Sequence, residues 1–370
     1  MENQTAYLLG ALESLEKEPA SGQILAGFDG FIDEILTVVK TRHSAEEFEE
    51  IASIAEFSER VAAAAGKSCN LELITKCFKA GGNGPLLATA LAEQQLKVIY
   101  AGALGLPDIH HVFHDLQNKC KVISFAEPGH TQALEFNDGK IMLGKMECLK
   151  EINWVNLLKI VPHENMQRLI SETRLLCLVN WTMLTEMNSF LNGIYEILTA
   201  ADRKPEIFID LTDPGKRSSA DLLKALELIM KLQSQTGVIL GLNESESLIL
   251  ANVLGEKELQ STAERAEFIR HVLGLKIVVI HPLKGAAAAD RETVCEISGP
   301  FTPHPVLTTG AGDNFNAGFL SGYLRGLELT ECLMTGVCTS GFYVRNGRSP
   351  QLSELISFME RWAEAKCGDI

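Results

Sequence analysis

The sequence predicts an α/β protein: a doubly wound, mostly parallel sheet with helices on both faces, and a small β lid. Two observations carry the main sheet. Six short runs rich in Ile, Leu and Val are apolar at consecutive positions, as strands buried on both faces must be. Helical patterns lie between most of them, the rhythm of βαβ units. A third observation, one segment that alternates in polarity, gives the lid.

Taken in order, residues 1–22 read as a short amphipathic helix; without a basic n-region or a long apolar stretch they do not form a signal peptide. "QILAGFD" (23–29) is the first strand. "SAEEFEEIASIAEFSERVAAAAG" (44–66) reads as a capped amphipathic helix ending at Gly66, an insertion or part of the lid's support. "KVIYAGAL" (97–104) is the second strand, and "TQALEFNDGKIMLGKM" (131–146) is a hairpin turning at "NDGK". That hairpin is either a lid over a pocket or a surface ornament; the sequence leaves both open. Strands follow at "LLCLVNW" (175–181), "EIFIDL" (206–211), "GVILGLN" (237–243) and "KIVVIHPL" (276–283), with helices over 185–201, 218–235, 244–253 and 258–273. No repeat or linker divides the chain, so residues 1–370 are expected to form one domain, its lid drawn from about 30–80 and 125–150. Right-handed crossovers would place ligands at the carboxyl ends of the strands.

A formal net charge of −15 over 370 residues argues against a nucleic-acid or anionic-membrane surface, and no apolar run is long enough to span a bilayer. Nine cysteines without a CxxC pair fit reduced thiols in a cytoplasmic protein.

Four stretches carry chemistry. In "TTGAGDNFNAGFLSGYLRG" (308–326), Gly310, Ala311 and Gly312 precede Asp313 and an amphipathic helix. Unpaired amides and the helix dipole at such a start attract an anion, and the carboxylate is either a cap or a base beside a bound phosphate. "GGNG" (Gly81, Gly82, Asn83, Gly84) makes a tight turn open to a ligand. "GLNESES" (241–247) sets Glu246 three residues after Asn243, which also reads as a plain helix cap. "GFDGFIDEI" (27–35) puts Asp29 and Asp33 just past the first strand, for substrate hydroxyls or for turn chemistry.

In order and spacing these stretches resemble the PfkB (ribokinase-like) family of carbohydrate kinases over nearly the whole chain. "GGNGPLLATALAEQQLKVIYAGALG" is similar to that family's N-terminal signature, "TTGAGDNFNAGFLSG" to its C-terminal one, and "NESE" to its N-x-x-E motif. The resemblance implies an ATP-dependent phosphotransferase acting on a hydroxyl of a sugar or sugar derivative. Asp313 would be the general base, with the amides of Gly310, Ala311 and Gly312 as the anion hole. Asp29, Asp33, Gly81, Gly82 and Asn83 would hold the substrate. Asn243 and Glu246 would organise Mg²⁺ through water near the nucleotide, and Lys284 and Gly285 would lie in the nucleotide loop. A homodimer paired through the lid is the further expectation.

The chain departs from the family pattern at three places. Leu307 stands where a carboxylate usually precedes "TTGAGD", which predicts weak or absent K⁺ activation; "IHPLKG" (280–285) replaces T-x-G-x-x-G; and Leu86 and Leu87 replace a polar contact past "GG". "IDLTDPGKR" (209–217) offers Lys216 or Arg217 to an anion, or as solvated charges. His110 and His114, spaced i, i+4, lack a third zinc ligand and are read as structural. A nucleoside kinase of the same family and a catalytically idle sugar sensor are the competing readings. The chain has no GxxxxGK[ST] and no GxGxxG after a strand, which disfavours P-loop kinases and nicotinamide enzymes.

Overall fold

The structure, a computed structural model, describes residues 2–15 and 22–368. Of the opening stretch, Glu2–Leu15 is helical and residues 16–21 lie outside the described residues. The strands in chain order are β1 (Gln23–Phe28), β2 (Phe31–Arg42), β3 (Phe48–Glu50), β4 (Leu73–Gly81), β5 (Val98–Gly102), β6 (Lys121–Ser124), β7 (Gly129–Phe136), β8 (Gly139–Lys145), β9 (Thr173–Val179), β10 (Glu206–Asp210), β11 (Val238–Asn243), β12 (Ile277–His281), β13 (Gly285–Ala289) and β14 (Val294–Ser298).

Nine of them form one sheet in the order β14-β13-β12-β11-β10-β9-β1-β5-β6. Every pair from β12 to β6 is parallel, and β13 and β14 extend the edge antiparallel. Side chains alternate between faces along a strand, and here both faces are covered. Leu175, Cys177, Ile239, Ile277 and Val279 point into the core shared with helices Asn83–Glu93, Ala311–Leu324 and Leu329–Asn346. Leu176, Leu178, Leu240, Val278 and Ile280 point into the opposite core, under helices Met187–Ala200, Ser219–Gln233 and Thr262–Leu273. Burial on both faces explains why these runs are apolar at consecutive positions.

A second, five-stranded sheet pairs β2 with β3, β4 and β7, and β7 with β8. Its own small core joins Leu36, Val38, Ile51, Leu134 and Phe136 to the helix Ile54–Ala62. The hairpin at 131–146 is β7 and β8, turning at Asn137 and Asp138. The single helix expected over 44–66 is corrected: Phe48–Glu50 is a strand on the edge of β2, and Ser53 caps a helix of only Ile54–Ala62. Edge pairing with β2 outcompetes the helical pattern of the first half. His110 and His114 do not share a helix face either. His110 caps a short 3₁₀ turn, His111–Phe113, and His114 opens the next helix.

Among the described residues no helix is long and apolar enough to cross a membrane, and the nine cysteines are free thiols.

After β1 the main sheet grows outward through β5 and β6, then returns to the other side of β1 with β9. The crevice at that reversal, between the carboxyl ends of β1 and β9, is where such sheets bind ligands.

Candidate active site

Asp29 follows β1 and Asn180 follows β9, and the two meet at the reversal. Asn180, held in the left-handed region at φ 63°, donates Nδ2 to Asp29 Oδ2 at 2.6 Å. The Asn83 amide donates to the same oxygen at 2.9 Å, and the Gly84 amide to Oδ1 at 2.8 Å. The Tyr100 hydroxyl donates to the Asp29 carbonyl at 2.6 Å and sits 3.2 Å from Oδ1. Asp29 is 0% exposed, and burial holds its carboxyl above the usual range despite these donors. The expectation that Asp29 holds substrate is therefore corrected: its oxygens are enclosed and already bonded, and it clamps the "GGNG" turn. Asp33 remains accessible, half-buried on β2 beside Gly81, with Thr131 of β7 and Lys79 of β4 in register. Burial raises its carboxyl, against the Thr131 hydrogen bond and the charges of Lys140 and Lys79.

Asp313 sits in the first turn of the helix Ala311–Leu324, whose start is set by Gly310 at φ 91°. A Cβ at Gly310 would lie 2.7 Å from Tyr343 Oη, the hydroxyl that donates to the Thr309 carbonyl at 2.7 Å. Further along, a Cβ at Gly318 would lie 2.3 Å from Thr339 Oγ1, so glycine lets this helix touch the next, Leu329–Asn346, and anchors it. The expected trio of free amides needs one correction. The Ala311 amide donates to the Thr308 carbonyl at 3.1 Å, whereas those of Gly310, Gly312 and Asp313 have no acceptor among the described residues. Asp313 is 6% exposed, and its Oδ1 accepts Asn83 Nδ2 at 3.0 Å. Burial, then the charge of Asp210, raises its carboxyl well above the ordinary range; the Asn83 hydrogen bond opposes this, and Asp29 and Glu246 add to it.

Asn243 and Glu246 form a reciprocal capping box, with Asn243 Oδ1 accepting the Glu246 amide at 2.9 Å and Glu246 Oε2 accepting the Asn243 amide at 2.8 Å. The cap reading is thus correct as geometry, but it is not all that the motif does. Glu246 Oε1 accepts the Asp213 amide at 2.9 Å, gripping a loop in which Thr212 and Asp213 both have φ 55°. Asp210, at the end of β10, accepts the Thr212 amide at 2.9 Å on Oδ1 and Asn316 Nδ2 at 2.7 Å on Oδ2. Asn316 lies one turn after Asp313, so one helix carries both Asp313 and the donor to Asp210. Burial and the charge of Asp210 push Glu246 up to about 7.

Sequence reasoning missed Asp210, the second residue of "IDLTDPGKR" and the last of a strand. Arg217 of the same stretch stacks 3.9 Å over Trp181, donates to Asp221 at 2.7 Å and to the Trp181 carbonyl at 2.8 Å, and so braces the fold. Lys216 pairs with Asp213 at 3.0 Å on the surface. Among the described residues no three His, Cys, Asp or Glu side chains gather closely enough to ligate a metal directly.

A cavity of about 600 Å³ opens beside the helix start, bounded by Asn243, His281, Gly285, Phe301, Gly312 and Phe315. Gly285 lines it; Lys284 does not, its Nζ resting 5.1 Å over the Phe301 ring. His281, from the unusual "IHPLKG" run, packs its ring 4.8 Å from Phe315, and burial pushes it down to about 4, so it is neutral at physiological pH.

The doubly wound sheet, with its crevice at the reversal of strand order, is that of the ribokinase-like fold. Solved structures of that class share the fold. An Arabidopsis thaliana ribokinase, complexed with ribose and ATP, superposes with TM-score 0.64 at 17% identity over 92% of this chain and 99% of its own. A Methanocaldococcus jannaschii nucleoside kinase does so at 0.59 and 16%, over 93% and 100%. A ketohexokinase of Haloferax volcanii is 29% identical over 350 residues, 94% of this chain and 93% of its own. Residues 2–362 match the prokaryotic ketohexokinase family, and the chain belongs to it, within the PfkB carbohydrate kinases. It is a carbohydrate kinase, transferring phosphate to a hydroxyl, with ATP as the co-substrate the family implies.

Proposed function

We propose that this chain transfers the γ-phosphoryl group of ATP to a hydroxyl of a ketohexose, with Asp313 as general base. The observation that carries the reading is one enclosed carboxyl adjoining three amides with no partner, at the edge of a nucleotide-sized cavity. Asn83 occupies Oδ1, leaving Oδ2 to take the proton. As the acceptor oxygen bonds to phosphorus, its proton passes to Asp313 and the bond to the bridging oxygen breaks, leaving ADP. A carboxyl held above its usual range is a stronger base when ionised. The amides of Gly310, Gly312 and Asp313 face the charge on the migrating phosphoryl group, where fixed dipoles act without reorganising. The nucleotide occupies the cavity between Asn243 and Gly312, and Asp33 takes sugar hydroxyls.

The donor set suits magnesium. Asp210, Glu246 and Asp313 are buried carboxyls, Asp210 raising the other two and Glu246 raising Asp313, with no basic side chain among the groups shifting them. Since Mg²⁺ retains several waters, Glu246, Asp210 and Asn243 would hold it through that shell, where it would offset the charge of the phosphates. A ketohexose is favoured over a nucleoside because the ketohexokinase pairs with this chain over nearly its full length, whereas a Methanocaldococcus jannaschii nucleoside kinase is 28% identical over only 36% of it.

An ADP-release assay across ketohexoses, aldohexoses, sugar acids and nucleosides tests the acceptor; preferential turnover of a nucleoside would replace it. Asp313→Asn should lose about a hundredfold or more in kcat while still binding nucleotide. Sugar binding without ADP release by the unaltered chain would make it a sensor instead.

A further inference from the structure

We infer that Arg345 is a positioning residue for the nucleotide, its guanidinium pinning the strap of chain that walls the cavity and leads into the anion hole. This rests on the nucleotide lying in that cavity, and it gives work to a residue outside all four motifs. Residues 299–309 join β14 to the helix of Asp313 without regular structure. Pro300, Phe301 and Thr308 of this strap line the cavity, while residues 303–306 between them are exposed. A segment with so little packing of its own takes its position from its tethers.

Three of those tethers come from the last turn of the helix Leu329–Asn346. Arg345 Nη1 donates to the Pro300 carbonyl at 2.8 Å and to the Gly341 carbonyl of its own helix at 2.9 Å, and Nη2 donates to the Phe301 carbonyl at 2.9 Å. The Val344 carbonyl accepts the Val306 amide at 2.7 Å, and the Tyr343 hydroxyl donates to the Thr309 carbonyl at 2.7 Å. Consecutive residues of one helix thus hold the strap at its start, middle and end. The approach is close because residue 341 is glycine: a Cβ there would lie 2.6 Å from Pro300 Cγ. Arg345 is the charged member of the set, and its planar fork spans two successive carbonyls. Phe301 is fixed from two sides, its carbonyl by Arg345 and its ring by Lys284 Nζ at 5.1 Å. Releasing residues 300 and 301 would free the cavity wall while Tyr343 still held Thr309, so the nucleotide should lose more than the acceptor does.

Steady-state kinetics with ATP and fructose, each varied in turn, test this. Arg345→Met keeps an apolar stem beside the Phe358 ring, which lies 5.6 Å from the guanidinium, and removes the donors. It should raise the KM for ATP about tenfold or more, the scale of hydrogen bonds from a charged group, with kcat falling less and the KM for fructose unchanged. Arg345→Lys, which keeps the charge but not the fork, should lie between that variant and wild type. In Arg345→Ala, millimolar guanidinium chloride should lower the KM for ATP again, and tetramethylammonium chloride should not. A methionine variant with the ATP KM of wild type, or an alanine variant that guanidinium does not restore, would make Arg345 a brace of the fold alone and overturn the proposal. If a melting curve shows that the methionine variant does not fold, the lysine variant decides, an unaltered ATP KM counting against the proposal. Ser340→Trp, which fills the cavity from the helix, separates the two layers. If that variant binds ATP normally, the placement of the nucleotide falls; if it loses ATP while Arg345→Met behaves as wild type, only this inference falls.

Discussion

Glu246→Gln is expected to give a protein that is more stable at neutral pH and less active. Glu246 is 5% exposed, and its two oxygens accept backbone amides at 2.8 and 2.9 Å. Burial and the neighbouring Asp210 raise it from 4.5 to about 7. An acid raised on folding keeps a proton that the unfolded chain releases, so native stability falls as pH climbs through that window and no further above it. The shift corresponds to about 3 kcal/mol. Glutamine matches the protonated side chain in shape and never ionises, and it keeps one of the two amide bonds at a loss of about 1 kcal/mol. Below pH 4.5 the variant should therefore equal wild type or fall slightly short of it; above pH 7 it should exceed wild type by about 2 kcal/mol. Guanidinium unfolding of both proteins in chelator, from about pH 5 to about pH 8, measures the difference, in which titrating groups remote from Glu246 cancel. At the same time kcat should fall, because a charge proposed to hold magnesium through its water shell has gone; stability held back by a functional charge is a common trade. Parallel pH profiles for the two proteins would refute the reasoning, as would a wild type that gains on the variant with rising pH.

Other perturbations probe the remaining parts. Gly310→Ala forces a side chain into the left-handed region and against Tyr343 Oη, so it should lose about 1–2 kcal/mol of stability in a melt and at least tenfold in kcat as the amides move. Asp33→Asn should raise the sugar KM roughly tenfold and leave the KM for ATP in place, as kinetics with each substrate varied would show. Replacing K⁺ by tetramethylammonium should change the rate little, because Leu307 offers no ligand; strong K⁺ activation would contradict this.

How far the sequence reached differs from feature to feature. The buried strands β1, β5 and β9 to β12 were legible because burial on both faces demands apolar residues in an unbroken run. β3 and β4 were not: their exposed, mixed side chains carry no such demand, and only pairing with β2 makes them strands. Asp313 was legible because small residues ahead of an acid at a helix start are a local pattern. Asp210 was missed because its importance comes from Asn316, 106 positions away.

By itself, the sequence determined which segments must be buried, where the helix carrying Asp313 begins, and that several carboxyls end strands or open helices, since each follows from the chemistry of near neighbours along the chain. Only the tertiary structure decided which carboxyls are spent and which are open. Asp29 and Asp33 look alike in "GFDGFIDEI", yet one is sealed by Asn180, Asn83 and Gly84 while the other stays accessible on β2. The amide of Ala311 is likewise taken by Thr308 while its neighbours remain unpaired. These outcomes depend on which strand ends the sheet reversal brings together and how a turn closes in space, and no pattern of adjacent residues encodes that.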